Sequence, residues 1–201
     1  MDLLSLIRGG VSKPWYASRA RRVAGSCHAG YALKARRMAA RSTVVLVLLH
    51  FAATAFMTGL IWYVQVVHYP LMAGWPHDQF GAWEARHREL TGLVVIPPML
   101  LEGATAVLLL ARSPRGAAAW LAGVGLALLA GIWASTGFLQ VPCHDLLALG
   151  WDDRVHARLV QTNWLRTVLW TGRLGLAAAL VPLLLVGGER RARRPSRSAG
   201  G

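Results

Sequence analysis

Four stretches of the chain are apolar over the length of a spanning helix, and polar positions recur inside them at helical spacing. Residues 44–64 (VVLVLLHFAATAFMTGLIWYV) hold no formal charge. Residues 93–111 hold Glu102, residues 117–139 hold no charge, and residues 163–187 hold Arg166 and Arg173. A helix needs about 17–25 mainly apolar residues to cross a bilayer. Lipid gives the backbone no hydrogen-bond partner, so stretches of this length must be helices. The pattern predicts an all-α, four-helix transmembrane bundle with spans near 44–66, 92–111, 117–140 and 162–187. In FGAWEARHREL, Phe80, Trp83, His87 and Leu90 share one face, which predicts a short amphipathic helix in the first outer loop. Pro97-Pro98 is expected to kink or start the second span.

The polar positions inside the spans form stripes when placed at about 100° per residue. The first stripe is His50, Thr54, Thr58, Gln65 and His68; the second is Thr91, Pro98, Glu102 and Thr105. Trp133, Thr136 and Gln140 form the third, and Asn163, Arg166, Thr167, Trp170 and Arg173 the fourth. A four-helix bundle turns all four inward. Glu102 and Arg173 each lie about ten residues below the same end of their spans, which at about 1.5 Å per residue places both near the midplane. An unpaired charge there is expensive, so the two are expected to pair. Gly123, Ala127, Gly131 and Ser135 form a small-residue stripe suited to close helix packing, inside the bundle or in a homo-oligomer. Trp62, Trp75, Trp83, Trp151 and Trp164 fit an aromatic belt at the outer interface. Asp152 is expected to cap the fourth helix.

Composition agrees and adds orientation. The chain has 201 residues, 55% hydrophobic and 15% charged, with net charge +13 and mean hydropathy +0.41. It is too apolar for a disordered polar chain and carries too few charges for an ordinary soluble enzyme. Residues 1–42 hold nine Lys/Arg against Asp2, and residues 188–201 hold five Arg against Glu189, so the 145 residues between sum to +1. The basic residues border apolar segments instead of interleaving with aromatics on a folded surface, which argues against a nucleic-acid partner. The positive-inside rule places both termini in the cytoplasm, and the residue bias points to a bacterial inner membrane. The first loop then faces outward with Arg86 and Arg88 against Asp78, Glu84 and Glu89.

Residues 1–42 read as a basic tail without fixed structure, 43–187 as the transmembrane domain, and 188–201 as a second disordered basic tail. Two readings of the first tail stand side by side: a transit peptide, or a start assigned too early with Met38 opening the native chain. Cys27 and Cys143 fall on opposite sides of the membrane in this topology, so they are not expected to pair within one chain.

The candidate chemistry gathers in the outer half of the bundle. His68 and His144 are candidate bases, since imidazole exchanges protons near neutral pH. Asn163 and Arg166 are candidate donors to a developing oxyanion. These four form the candidate catalytic set. Gln65, His87, Glu102, Gln140, Thr167 and Arg173 are candidate substrate contacts. The histidines come from separate elements and no paired spacing with another ligand is recognised, so no metal ligand is assigned and the cofactor is left unknown. The other reading gives the polar stripes a packing role. The chain is then a non-enzymatic membrane protein, either a complex subunit or a transport accessory.

The stretch QVPCHDLLALGWDDRVHARLVQTNWLRTVLWTGRLGLAAAL resembles the anthrone-oxygenase-like (DUF1772) family of small four-helix membrane proteins. The family's fourth helix opens with W-N-x-x-R-T, matched here at Asn163, Arg166 and Thr167, with the tryptophan displaced to Trp164. Its third helix ends in an N-V-P-x-N-N-like motif, matched at Val141 and Pro142, with Gln140, His144 and Asp145 in place of the amides. His68-Tyr69-Pro70 at the end of the first span is also similar. The resemblance covers about residues 44–187. It implies oxidation of a lipophilic aromatic or quinol-like substrate by dioxygen, with the lipid bilayer and that substrate as the partners.

Overall fold

The computed structural model describes residues 14–113 and 115–193. The chain divides into two compact units, residues 1–41 and 42–201. In the first, the described residues 14–41 are helical and form the opening of α1 (Pro14–Tyr63). Helix runs over them where the sequence reading has a basic tail without fixed structure; Ala, Arg, Leu and Lys are good helix formers and no proline interrupts the run. Residues 1–13 and 194–201 lie outside the described residues.

In the second unit α1 passes into a π-helical turn (Val64–His68) and then α2 (Tyr69–Met72). There follow α3 (Phe80–Arg112), α4 (Ala117–Ser135), a second π turn (Thr136–Gln140), α5 (Val141–Leu147) and α6 (Asp153–Arg193). No strand occurs among the described residues. Four helical stretches are long and apolar enough to cross a membrane: Leu33–Met72, Phe80–Arg112, Ala117–Leu147 and Asp153–Leu184. The architecture is therefore the all-α four-helix bundle read from the sequence.

Two expectations change. The stretch around Phe80–Leu90 is helical, but as the first turns of α3 and not as a separate interfacial helix. Pro97 and Pro98 lie inside α3, so of the two alternatives, kinking or starting the span, the second does not hold. Prolines are tolerated inside a spanning helix when neighbouring helices and local adjustments re-satisfy the freed carbonyls. The two π turns show such an adjustment. Each ends two residues before a proline, Pro70 or Pro142. A proline ring crowds the carbonyl four residues back and offers no N–H. The wider turn moves the bonding one residue further, with Tyr69 N–H reaching Val64 O and Val141 N–H reaching Thr136 O.

The bundle interior is layered. Leu46, Val47, Leu109, Ala122, Leu180 and Leu184 form one apolar layer. Met57, Ile61, Ile132 and Trp170 form the next. Tyr69, Met72, Phe80, Cys143, Leu147 and Leu159 form the third, at the end carrying the 73–79 and 148–152 connections. Polar side chains fill the two levels between these layers. The predicted stripes do point inward: Thr54, Thr58, Gln65, Glu102, Gln140, Asn163, Arg166, Thr167 and Arg173 are all buried. Trp133 is the exception, at 41% exposure, with its indole edge over Gly103. The outer surface is apolar, with Leu93, Val94, Ile96, Leu100, Phe138 and Val168 exposed. Small residues let α4 and α6 approach: Gly131 faces Leu169 and Gly172 faces Leu128. Asp152 caps α6 as expected, its Oδ1 accepting from the N–H groups of Arg154 at 2.8 Å and Val155 at 3.0 Å.

Candidate functional site

The first polar level is built around Glu102. Arg173 donates from Nε to its Oε1 at 2.9 Å, and Nη2 lies 2.8 Å from the same oxygen. Thr54 donates to Oε1 at 2.8 Å and the Trp170 indole to Oε2 at 3.2 Å. Arg173 Nη1 also reaches the Gly125 carbonyl. One carboxylate thus ties α1, α3 and α6 together, and its arginine extends the tie to α4. His50 and Thr105 sit beside it, Nδ1 to Oγ1 at 3.0 Å. A cavity of about 20 Å³ beside His50, Gly125 and Arg173 has room for a single water. The predicted Glu102–Arg173 pair is therefore present. Both groups bond to each other and to the surrounding helices, which places them in the packing of the bundle.

The second polar level lies toward the 73–79 and 148–152 connections. Here the two π turns and the first turns of α3 and α6 bring side chains from four spans together. Asn163 donates to Gln65 Oε1 at 2.8 Å, and Arg166 Nε donates to Asn163 Oδ1 at 2.9 Å. Arg166 Nη2 donates to the Tyr69 hydroxyl at 3.2 Å. Tyr69 Oη lies 3.1 Å from His144 Nε2, and His144 Nδ1 lies 2.6 Å from Glu84 Oε1. These partners fix the direction of the run. Arg166 can only donate, so Tyr69 passes its own proton to His144 Nε2, and Nδ1–H donates to the carboxylate. Four groups from α6, α2, α5 and α3 form one continuous chain of hydrogen bonds. Glu84, Tyr69 and Asn163 are buried, and Arg166 is 9% exposed. Among the described residues no carboxylate pairs with Arg166 within 4.0 Å. A buried guanidinium held only by neutral groups is ready for an anion.

An aromatic stack borders this run. His68 and His87 lie with centroids 4.5 Å apart and Nε2 atoms 3.4 Å apart. Trp83 stacks on His87 at 5.2 Å with 5° between the planes. Thr91 holds His87 from the next turn, Oγ1 to Nδ1 at 3.1 Å. His68, His87 and His144 are all partly exposed, so the imidazoles form the accessible edge of a buried network.

Of the predicted residues, Gln65, His68, His87, His144, Asn163 and Arg166 come together here. Gln140 is adjacent, bonded to Ser135 at 3.1 Å and Thr162 at 3.0 Å. Thr167 donates to the Asn163 carbonyl one turn back at 3.1 Å, which satisfies its buried hydroxyl within its own helix. Glu102 and Arg173 belong to the other level. The sequence reading missed Glu84 and Tyr69. Glu84 counted there only as a loop charge, yet Glu84 and His87 form a Glu-x-x-His pair, the i, i+3 spacing that sets two side chains on one helix face. One oxygen of Glu84 and one ring nitrogen each of His87 and His144 lie within 4.8 Å of one another.

No family model, curated protein or solved structure matches the chain.

Proposed function

We propose that the chain is a membrane oxidoreductase acting on a lipophilic hydroxyaromatic or quinol-like substrate at the second polar level. The observation that carries this reading is the run Arg166–Tyr69–His144–Glu84, in which every proton points toward the carboxylate. Such a run accepts a proton at Tyr69 and His144, and Glu84 steadies the imidazolium that results. Arg166, positioned by Asn163, faces the negative charge left on a phenolic or enolic oxygen. The stacked Trp83, His87 and His68 rings offer flat aromatic contact at the accessible edge. The resemblance to the anthrone-oxygenase-like family supports the same substrate class. There a ring CH2 and O2 become C=O and H2O, with dioxygen taking the electrons. The Lys/Arg-rich tails support cytoplasmic termini in a bacterial inner membrane, which puts this level on the outer side.

The test is oxygen uptake by detergent-purified protein given an anthrone or a short-chain quinol. His144→Ala and Arg166→Ala are expected to lower kcat by at least about 100-fold while helical content is kept. Full turnover in both variants, or no uptake by the parent with either substrate, rejects the reading. A second reading, a non-enzymatic subunit or transport accessory, is favoured by the first polar level alone, where every Glu102 contact serves the bundle itself.

A further inference from the structure

We infer that Glu84, His87 and His144 form a binding site for one divalent first-row transition-metal ion. Glu84 is fully buried, and its Oε2 has no hydrogen-bond partner among the described residues. A buried carboxylate oxygen without a donor is costly, and a cation bound to it removes that cost. The neighbours it meets are ligands of the right kind. A carboxylate oxygen and two imidazole nitrogens lie within 4.8 Å of one another. Ligand atoms about 2.1 Å from a shared ion are about 3–4 Å apart, so small side-chain rotations close the set. His68 Nε2, 3.4 Å from His87 Nε2, is the next donor in reach. Thr91 holds His87, and loading shifts His144 to its Nε2–H tautomer, which donates to the Tyr69 hydroxyl and frees Nδ1 for the ion. Two imidazoles and one carboxylate with no thiolate suit iron(II), zinc or cobalt, and this donor pattern leaves positions open for a further ligand. The inference rests on the reading above for the role of the site. Its test needs no substrate.

The full chain is purified in detergent, stripped with a chelator and titrated anaerobically with iron(II), and separately with cobalt(II). The expected result is one ion per chain and cobalt d–d bands of imidazole and carboxylate coordination. Glu84→Gln and His87→Ala are each expected to weaken binding by at least about 100-fold. His77→Ala, a loop histidine outside the set, is expected to bind as the parent does. Protection of His87 and His144 in the parent from imidazole-modifying reagent gives a measurement that needs no variant. Less than one ion per chain, parent-like affinity in Glu84→Gln, or absence of that protection overturns the site. A loaded chain without turnover sinks the oxidoreductase reading and leaves the site standing. Undiminished turnover in the stripped chain leaves the oxidoreductase reading standing and removes the ion from it.

Discussion

Glu84 Oε1 meets His144 Nδ1 at 2.6 Å while the second oxygen of the same carboxylate, also buried, has no hydrogen-bond partner among the described residues. One side chain thus orients an imidazole and holds an open acceptor in the interior. The contact joins the first turns of α3 to α5, and the exposed Arg88–Asp145 pair at 2.6 Å repeats the join at the surface. An exposed ion pair of this kind contributes about 0–1 kcal/mol, so backbone packing must set the spacing of α3 and α5.

Gly81 sets that spacing. A Cβ at this position would lie 2.8 Å from the Ala148 carbonyl oxygen, with Gly150 N also close. Both neighbours are backbone, so Gly81→Ala must push the start of α3 away from the 148–150 turn. The expected cost is about 1–3 kcal/mol. The functional loss should be larger than that cost implies, because Glu84 lies less than one turn further on. Oxygen uptake and thermal unfolding of Gly81→Ala check this. Parent-like turnover would show that the spacing of α3 and α5 does not govern the site.

The Glu102–Arg173 pair calls for a double-mutant cycle. Glu102→Leu leaves a guanidinium buried without its carboxylate, a loss of about 3–5 kcal/mol, and Arg173→Met strands the carboxylate at similar cost. The double variant should recover most of the loss, because a well-packed apolar pair is often as stable as a buried ion pair. Unfolding midpoints in detergent for the four proteins check it. Additive losses would mean that the two side chains act independently, against the 2.8–2.9 Å contacts between them.

How much of this the sequence discloses depends on the kind of signal. The spans and the inward stripes follow from period and depth, which act within one helix. Glu102 and Arg173 could be paired by counting residues along two spans, because lipid leaves a midplane charge few other options. Glu84 escaped the same reasoning because its stretch reads as a separate amphipathic helix on the outer interface, where a charge meets water, whereas it forms the first turns of α3 and is buried. Tyr69 escaped because Pro70 reads as the end of a helix, whereas the π turn carries the helix past it to Met72. Both misses lie where helix continues beyond the apolar pattern, at the end of the bundle that holds the reactive groups.

Tyr69→Phe removes one hydroxyl from the middle of the run and little else. His144 Nε2 loses its donor and Arg166 Nη2 loses an acceptor. The buried site then carries a penalty of about 1–3 kcal/mol. If the run conducts protons, kcat should fall by at least about tenfold with KM little changed. A rise in KM with kcat kept would instead make Tyr69 a substrate contact.

Arg166→Lys separates charge from geometry. Arg166 reaches three partners at once: Asn163 through Nε, Tyr69 through Nη2 and Thr136 through Nη1, the last at 3.4 Å. A lysine ammonium is a point charge on a flexible stem and cannot span α2, the second π turn and α6 in that pattern. If Arg166 serves only as a buried positive charge, the lysine variant should keep most of the parent's turnover. If its fork positions Tyr69 and faces the oxyanion, Arg166→Lys should fall close to Arg166→Ala in kcat. The geometry favours the second outcome, since the guanidinium is shared among three acceptors instead of paired with a carboxylate. Oxygen uptake by the two variants side by side, with unfolding midpoints as the control for folding, decides between charge and shape.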